Sequence, residues 1–478
     1  MATRSEALAR AERLLTQLKS RAKDITERDE YYGGEQPLRF ATPEWAAEHA
    51  KRYEDFSDNW CGVVADSTVE RIHVQGFRLD DSTSLSEAER ALWRAVWLDN
   101  DMDAQAAQGV LQTVVSSRSY ILVWGDPDTE QPVVTWEHPN HVLVEYDAEN
   151  PRRRVAAIKW WLDDDLEYLN LYLRDELWKW QRPRSSRTGL VLPAGYGGEW
   201  VDRAGQEEQP LANPIGDVPI VELMNRPRLS LDPLSDIHGA MAMQDAINLL
   251  WAYLFNAADY ASMPARVIMG QQPPKVPILD AAGQKVGDRE VDPKELTNGR
   301  LMWLTGQHAN IGTFPAAQLS GFSEVVEVAV GHLAAQTRTP QHYLIGKMAN
   351  LSGDALKAAE TGQALKSAEF AISNTYPIRE VFRLAALVGG DKGAAQAAAR
   401  GTVKWKDTES RSESQLADAL TKLKDIGFPF EYLAERYGLD DTELDRVMQM
   451  REDEANDPLL AQVANNLLGT PGAAAGSV

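Results

Sequence analysis

The stretch that most constrains the fold is DIHGAMAMQDAINLLWAYLFNAADYASM, residues 236–263, which has a helical pattern and is apolar on nearly every side. Such a helix has to be buried all round, in a large core, a membrane or a subunit interface. A membrane is disfavoured, because the charge-free part between Asp245 and Asp259 is shorter than the ~20 residues needed to cross a bilayer and contains two asparagines. We therefore expect this helix to pack against neighbouring subunits.

Size and composition indicate a folded protein with more than one hydrophobic core. The chain has 478 residues, 44% of them hydrophobic and 25% charged, and single cores stop growing near ~250–300 residues. Its one cysteine, Cys61, excludes an internal disulfide and a cysteine-rich zinc site, and it fits a reducing compartment. The first residues, MATRSEALARAERLLTQLKSR, are charged throughout and predict an amphipathic helix rather than a signal peptide.

The net charge of −22 limits how the protein can meet nucleic acid. Tight, wrapping contact relies on Lys and Arg replacing the counterions of the phosphates, so this charge argues against it. A wall that DNA slides past is still compatible with the sequence, because an acidic surface repels a passing duplex and keeps it from sticking.

The pattern along the chain changes from helix to strand and back, which predicts an α+β fold. Helices are expected up to about residue 117, and short runs such as SYILVWG and PVVTWE then indicate an antiparallel meander over 118–225. Strands over 264–313 flank a Pro- and Gly-rich excursion, and a further helix is expected over about 321–338. Short charged helices are expected over 408–466, and the small, uncapped last residues are expected to be disordered.

Three consecutive carboxylates, Asp163, Asp164 and Asp165, raise the alternative of a metal-dependent nuclease or phosphotransferase, with His138 or His141 as a further ligand. Consecutive strand residues point to opposite faces, so the three carboxylates cannot converge while the strand continues. Because Asp favours turns, we predict a hairpin turn here. The eight histidines show no recognised metal-binding spacing.

The stretch QHYLIGKMANLSGDALKAAETG, residues 341–362, looks at first like a phosphate-binding loop. That motif, G-x-x-x-x-G-K-[ST], needs a glycine where this chain has Gln341 and a hydroxyl where it has Met348. Two anchor positions therefore fail, and nucleotide binding is not expected. The glycine-bounded loop from Gly346 to Gly353 has few groups to hold it rigid, so we expect it to move.

A long helix is predicted to follow this loop. Ser352 is expected to cap the helix, and Asp354 in its first turn complements the helix dipole. Pro377 lies deep inside the continuing pattern, so the helix is expected to kink near Tyr376 or to restart there.

Several segments, in their order and spacing, resemble the SPP1-type family of phage portal proteins that is common in phages of actinobacteria. They are YYGGEQPLRF (31–40), NWCGVVADSTVERIHVQGFR (59–78), LYLRDELWKW (171–180), NRPRLS (225–230), PQHYLIGKMANLSGDALKAAETG (340–362) and the VKW-D element (403–407). They span nearly the whole chain. The resemblance implies the phage portal fold, in which twelve subunits with wing, stem, clip and crown regions form a ring around a central channel for double-stranded DNA.

The resemblance also implies a region for each part of the chain. The implied regions are the wing at 1–235 and 354–407, the two stem helices at 236–263 and 314–338, the clip at 264–313, the tunnel loop at 339–353, a helical crown at 408–466 and a disordered tail at 467–478.

Two sets of site residues follow from these regions. The tunnel loop would project into the channel, where Lys347 would be the one cation available to phosphate. The DNA-facing residues would be Gly346, Lys347, Met348, Ala349, Asn350, Leu351, Ser352 and Gly353. The first stem helix would contact neighbouring subunits through Ile247, Leu250, Trp251, Leu254 and Phe255.

The function implied by the resemblance is structural. The ring would sit at one capsid vertex of the virion, conduct DNA during packaging and ejection, and dock the terminase large subunit and a head-tail adaptor protein. Major capsid and scaffolding proteins would be further partners, assembly would occur in the host cytoplasm, and no catalysis, cofactor, metal or membrane is implied. The metal-dependent enzyme and a homo-oligomeric adaptor unrelated to DNA are the alternatives left open.

Overall fold

The computed structural model describes residues 2–53, 56–79, 86–184, 198–203, 209–262, 266–269, 275–280, 283–290, 301–304, 310–313, 319–345, 353–409 and 413–456. Helices and strands follow one another in separate runs along these ranges, as the sequence predicts for an α+β protein. Among the helices so described, none combines the length and the apolar character needed to cross a membrane.

Four helices position the candidate site and are named here. They are the apolar helix (Met241–Ser262), the companion helix (Ser320–Thr337), the short helix (Gln341–Ile345) and the long helix (Gly353–Val388). The other α-helices are Arg4–Gly33, Pro43–His49, Trp60–Val69, Glu87–Trp93, Met102–Ser116, Lys392–Ala398, Glu413–Asp425, Phe430–Tyr437 and Asp441–Asn456, with a 3₁₀ turn at Ala50–Arg52 and a π turn at Arg94–Leu98.

The first helix shows how local sequence sets an element boundary. The Thr3 hydroxyl accepts from the backbone N–H of Glu6, and the Glu6 carboxylate accepts from the backbone N–H of Thr3, which is a capping box. The helix ends at Gly34, whose φ of 74° lies in the left-handed region that glycine adopts without strain. Its apolar stripe packs on the six-stranded sheet described next.

The strands between residues 118 and 224 form two antiparallel sheets. Strands β4 (Val142–Tyr146), β5 (Arg154–Asp163), β6 (Leu166–Tyr172), β7 (Glu176–Pro183) and β8 (Val201–Asp202) are neighbours in the larger sheet, where β9 (Leu211–Ala212) also pairs with β7. The smaller sheet has the order β10-β2-β3, with β2 at Arg118–Gly125, β3 at Pro132–Glu137 and β10 at Ile220–Met224.

The prediction of one continuous meander over 118–225 was wrong, because the strands of this region form two separate sheets. Strand β2 is buried along most of its length, as a central strand must be, and it therefore takes a partner on each side. The second partner is β10, about a hundred residues further along the chain, rather than β4. The antiparallel pairing itself and the hairpin at Asp163–Asp165 are confirmed, because β5 ends at Asp163 and β6 begins at Leu166.

Three smaller pairings complete the sheets. Strand β1 (Val74–Arg78) pairs antiparallel with β16 (Thr402–Trp405) and so joins the two halves of the chain. Between residues 266 and 313, β11 (Arg266–Met269) lies between β14 (Leu301–Leu304) and β15 (Asn310–Thr313). The Pro- and Gly-rich excursion contains a hairpin of its own, made of β12 (Lys275–Leu279) and β13 (Lys285–Glu290).

The C-terminal part of the long helix packs into a hydrophobic core with strand β1 and two tryptophans. Phe382 stacks on Phe77 of β1 with ring centroids 4.0 Å apart, and Trp93 and Trp97 lie parallel to the same ring. The helix runs through Pro377 without interruption, so it does not restart near Tyr376 as one of the two expected outcomes would require. It therefore acts as one continuous element that reaches from residue 353 into the core.

Candidate functional site: the helices around residues 346–352

The predicted DNA-facing loop is bracketed by two described helices. Gly346, Lys347, Met348, Ala349, Asn350, Leu351 and Ser352 lie outside the described residues, and so does the expected cap formed by Ser352. Gly353 is described, and it is the first residue of the long helix. The structure therefore defines the two ends from which the loop departs, and the following contacts show how each end is held.

The short helix is tied to the long helix by charged and hydroxyl groups. The Tyr343 hydroxyl accepts from the Arg71 guanidinium at 2.7 Å, and that guanidinium also pairs with Glu360 at 3.2 Å. Arg71 donates further to the Thr408 carbonyl at 2.9 Å, and His342 Nε2 lies 3.7 Å from Glu360 Oε1. Both ends of the loop are thereby joined, because Glu360 lies two turns into the long helix.

A buried ion pair holds the long helix to the companion helix and to the chain before the apolar helix. The Lys366 ammonium lies 3.2 Å from Asp236 Oδ2 and donates to the Thr337 carbonyl at 3.0 Å. The Asp236 carboxylate also accepts from the Thr68 hydroxyl at 2.8 Å and from the Asn225 amide at 2.9 Å. A carboxylate with this many donors is well satisfied, which a buried charge requires.

The protonation behaviour of these two anchors differs. Burial lowers the pKa of the Lys366 ammonium, although the nearby Asp236 acts in the opposite direction. Burial also works against the charge of Arg71, but its hydrogen bonds to Tyr343 and Glu360 outweigh that effect and raise its pKa. The arginine anchor therefore stays charged across the physiological range, and the lysine is the more easily neutralised of the two.

The N-terminal half of the apolar helix is fixed by a group of hydrogen bonds that we call the polar latch. Gln244 accepts from the Trp60 backbone N–H at 2.8 Å and donates to the Asp58 carbonyl. Asn248 accepts from the Asp58 backbone N–H at 3.0 Å, and the Trp251 indole donates to the Asp58 carboxylate at 2.7 Å. Two polar residues in this half of an otherwise apolar helix, Gln244 and Asn248, are thus paired within the same chain.

The C-terminal half of the same helix is contacted mainly by aromatic rings. Phe255 lies edge-on to Phe56 at 5.2 Å and stacks near Tyr53 at 6.4 Å, while Trp45 meets Tyr253 edge-on at 5.3 Å. Phe255 nevertheless stays 36% exposed, a large value for a phenylalanine in a helix of this composition. This half therefore keeps apolar surface that the described part of the chain does not cover.

The five residues predicted to contact neighbouring subunits differ in what they expose. Ile247 has no exposed surface and lies in a core cluster with side chains of the companion helix, so in this conformation it offers nothing to a neighbour. Leu250, Trp251 and Leu254 are partly buried, and Phe255 is exposed. The available apolar surface is therefore shifted toward the C-terminal end of the helix.

The companion helix presents a mixed apolar and acidic outer surface. Val325 and Val328 are more than half exposed, and Glu324 and Glu327 beside them are exposed as well. A cavity of about 700 Å³ opens between this helix, the short helix and the long helix, next to the point where the loop begins. The sequences of the apolar and companion helices contain acidic residues and no Lys or Arg.

The residues of the metal-dependent alternative are not brought together. Asp164 has a φ of 48°, which places it in the tight turn between β5 and β6, and all three aspartates are exposed there. His138 and His141 lie near each other, with ring centroids 5.9 Å apart, but His141 is beside Trp160, about 10 Å along β5 from Asp163. In the described ranges, no three His, Cys, Asp or Glu side chains are arranged to hold a metal ion.

Sequence reasoning missed the residues that anchor the loop. Arg71, Glu360, Asp236 and Lys366 stand in ordinary charged surroundings in the sequence, and their partners lie far away along the chain. One signal was available in the sequence, because Lys366 lies on the side of the predicted helix that otherwise carries small residues and faces inward. A lysine buried there needs a partner, since an unpaired lysine is almost never fully buried.

Three comparisons place this chain among known proteins. The family model described as "Phage portal protein, SPP1 Gp6-like" matches residues 11–457. The portal protein of Mycobacterium phage D29 is 28% identical over 415 residues, covering 82% of this chain and 78% of that protein. The portal protein of Mycobacterium phage L5 is 28% identical over 378 residues, covering 76% of this chain and 71% of that protein.

A solved structure, the neck of a native GTA particle computed with C12 symmetry, aligns with 87% of this chain and 99% of its own chain, at a TM-score of 0.42 and 14% identity. The resemblance drawn from the sequence segments is confirmed by the family match, which spans all of them. Because that match covers nearly the whole chain, the chain belongs to the SPP1 Gp6-like family of phage portal proteins.

Proposed function

We propose that twelve copies of this chain form a ring at one capsid vertex and that double-stranded DNA passes through its centre during packaging and ejection. The observation that carries the proposal is the match of the phage portal family model to residues 11–457, nearly the whole chain. In this proposal the wing is 1–235 with 354–407, the stem helices are 236–263 and 314–338, the clip is 264–313 and the crown is 408–466.

The exposed apolar surface supports the ring. Phe255 and the partly buried Leu250 and Leu254 on one helix, and Val325 and Val328 on its companion, leave apolar area exposed on two adjacent helices. Exposed apolar side chains on two packed helices are typical of an interaction surface. In a ring each subunit contacts two neighbours through different surfaces, so both helices would be covered.

The anchored ends of the loop support a role in the channel. Residues 346–352, with Gly353, would form the tunnel loop, and Lys347 would be its phosphate-facing cation. The Arg71, Tyr343 and Glu360 contacts hold the two ends of the loop close to each other, so that the loop can move without displacing the helices. Exposed Glu324 and Glu327, on a helix whose sequence has no Lys or Arg, would keep a passing duplex from sticking.

The remaining parts of the proposal concern partners and place. The terminase large subunit and a head-tail adaptor protein would dock on the ring, and major capsid and scaffolding proteins would surround it. Assembly would take place in the host cytoplasm before the ring becomes part of the virion. The chain itself would catalyse no reaction, since the energy for packaging would come from the terminase.

The test is the mass of the purified protein by native mass spectrometry, followed by end-on electron-microscope class averages of the same sample. We expect a closed ring of twelve or nearly twelve subunits whose centre is wide enough for a B-form duplex. A monomer or dimer at high concentration would contradict the ring. A closed ring too narrow for a duplex would favour the adaptor that has no connection with DNA.

A further inference from the structure

A basic surface pocket lies far from the candidate site in an otherwise acidic chain. Its cavity of about 950 Å³ lies between the β4–β5 turn, the turn after β6, the loop before β10 and the ends of two helices. The cationic side chains that line it are Arg152, Arg153, Arg154, Arg174, Arg383 and Lys392, against the carboxylates Asp175, Asp217 and Glu380. Six cations around one cavity stand out in a protein with a net charge of −22.

The inner part of the pocket is a closed ion-pair network. Arg154, whose side chain is almost fully buried, lies 2.7 Å from the Glu380 carboxylate and 3.8 Å from Asp217. Arg383 donates to both Glu380 oxygens and to Asp217. These two arginines and two carboxylates balance each other, so they form a rigid floor and contribute little net charge.

The outer part of the pocket has cations in excess. Arg152 and Lys392 are exposed and have no ion-pair partner in the part of the chain that the structure describes. Arg174 donates to the Gly216 carbonyl at 3.3 Å, and Arg153 lies 3.6 Å from Asp147 with more than half of its side chain exposed. Each of these contacts uses only part of the guanidinium, which has five N–H donors, so most donors of Arg153 and Arg174 stay available to a ligand.

We propose that this pocket binds the carboxylate side chains of an acidic protein segment. Guanidinium groups bind carboxylates with two parallel hydrogen bonds, and the outer arginines are free to do so. The lining also includes Ile215, Tyr376 and Leu387, which suit the aliphatic stems of Asp and Glu. The proposal goes beyond the ring and channel, since none of these residues belongs to the stem helices or the loop.

A DNA backbone fits the pocket less well than a peptide does. Duplex DNA needs cations in an extended row, so that several phosphates are neutralised at once. Here the cations with free donors surround a compact cavity and do not form an extended row. A flexible peptide can place single carboxylates on Arg152, Arg174 and Lys392 and keep the rest of its chain outside.

The experiment measures fluorescence anisotropy of a labelled peptide of alternating Asp and Glu, about ten residues long, added to the full-length protein at low salt. A peptide of Asn and Gln with the same label is the uncharged comparison. The pocket variant is Arg152→Glu with Lys392→Glu, and the matched control is Lys23→Glu with Lys424→Glu, which has the same net charge but exposed substitutions that do not line the pocket. Thermal melts check that both variants fold.

We expect the acidic peptide to bind the wild type and the control equally, and to bind the pocket variant about tenfold more weakly, as the loss of a few partly exposed ion pairs predicts. Wild-type protein that fails to bind the acidic peptide, or that binds the uncharged peptide equally, would overturn the proposal. So would equal losses in the pocket variant and the control. A short DNA duplex that displaces the peptide at a lower concentration than unlabelled peptide would overturn the assignment to a protein ligand. None of these results depends on whether the ring forms.

Discussion

The two halves of the apolar helix differ in the contacts that bury them. The N-terminal half packs Ile247 into the core of its own chain and pairs Gln244 and Asn248 with the backbone around Asp58. The C-terminal half is contacted by aromatic rings and by the Arg52–Asp259 ion pair, and it leaves Phe255 exposed. A run that is uniformly apolar in sequence is therefore covered mostly by its own chain in its first half, and its second half leaves more apolar surface for another subunit.

We therefore expect subunit stability and ring formation to depend on different halves of the helix, a distinction that the apolar sequence pattern does not show. Substitutions in the N-terminal half are expected to change the free energy of unfolding of the subunit, because they remove contacts within one chain. Substitutions in the C-terminal half are expected to change ring formation more than subunit stability. The following predictions are ordered by their expected effect on subunit stability.

The largest expected effect is that of Ile247→Ala. The side chain is fully buried, so its removal leaves a cavity and should lower the free energy of unfolding by about 3 kcal/mol. Urea denaturation followed by tryptophan fluorescence measures this change. Leu254→Ala, in the partly exposed half, serves as the comparison, and an equal loss from both variants would remove the distinction between the halves.

The next effect is that of Gln244→Ala. This change removes the three hydrogen bonds of a fully buried amide, to the Trp60 N–H, the Asp58 carbonyl and the Asn248 side-chain oxygen, at a cost of about 2 kcal/mol. Asn256→Ala is the control, because Asn256 is an amide on the same helix that makes no side-chain hydrogen bond within the described residues. The same denaturation experiment should show almost no loss of stability for the control. A loss as large as that of Gln244→Ala would show that the hydrogen bonds of the latch are not the cause of the change.

Phe255→Ala should reduce subunit stability by about 1.5 kcal/mol, because a third of the ring is already exposed. Its larger effect should be on assembly, seen as a loss of ring particles in size-exclusion chromatography. Val133→Ala, at a similarly exposed position on β3, should leave the ring fraction unchanged. Rings that form normally from the Phe255 variant would mean that this end of the helix does not contact a neighbour.

The smallest effect is that of Asp245→Asn. Burial raises the pKa of Asp245 above 3.8, although the Tyr31 hydroxyl donates to the carboxylate at 2.7 Å and acts in the opposite direction. A raised pKa in the folded state means that the wild type loses stability as the pH rises through that pKa. The variant should therefore be about 0.5 kcal/mol more stable at neutral pH, and the gain should vanish as the pH falls toward the ordinary carboxyl pKa of 3.8. Denaturation midpoints across this range provide the measurement, and a gain that grows at low pH would contradict the sign.

Much of the fold could be predicted because its signals are local. The boundaries of the first helix follow from a cap and a glycine, and the turn at Asp163–Asp165 follows from three aspartates in a row. The pairing of β10 with β2 could not be predicted, because about a hundred residues separate the two strands and no local signal in the sequence joins them.

The site was predictable to a smaller extent for the same reason. The loop was recognisable from its glycines and from the family resemblance, whereas its anchors depend on contacts such as Lys366 with Asp236, which lie far apart along the chain. Burial of Ile247 inside its own chain was also hidden, because an all-round apolar pattern does not say which partner covers which side.

Thiol labelling of an Ala258→Cys variant, with the ring and subunit fractions separated first, tests most directly whether a neighbour covers the C-terminal half of the apolar helix. Ala258 lies one turn after Phe255 and is partly exposed, and the native Cys61 does not interfere because it is fully buried and burial raises its pKa to about 12. A second variant, Ser20→Cys, reports an exposed site on the first helix. We predict that the thiol introduced at position 258 is labelled quickly in the free subunit and much more slowly in the ring, while the thiol introduced at position 20 is labelled equally in both. Equal labelling of the Ala258→Cys variant in ring and subunit would contradict the claim that a neighbour covers this half of the helix.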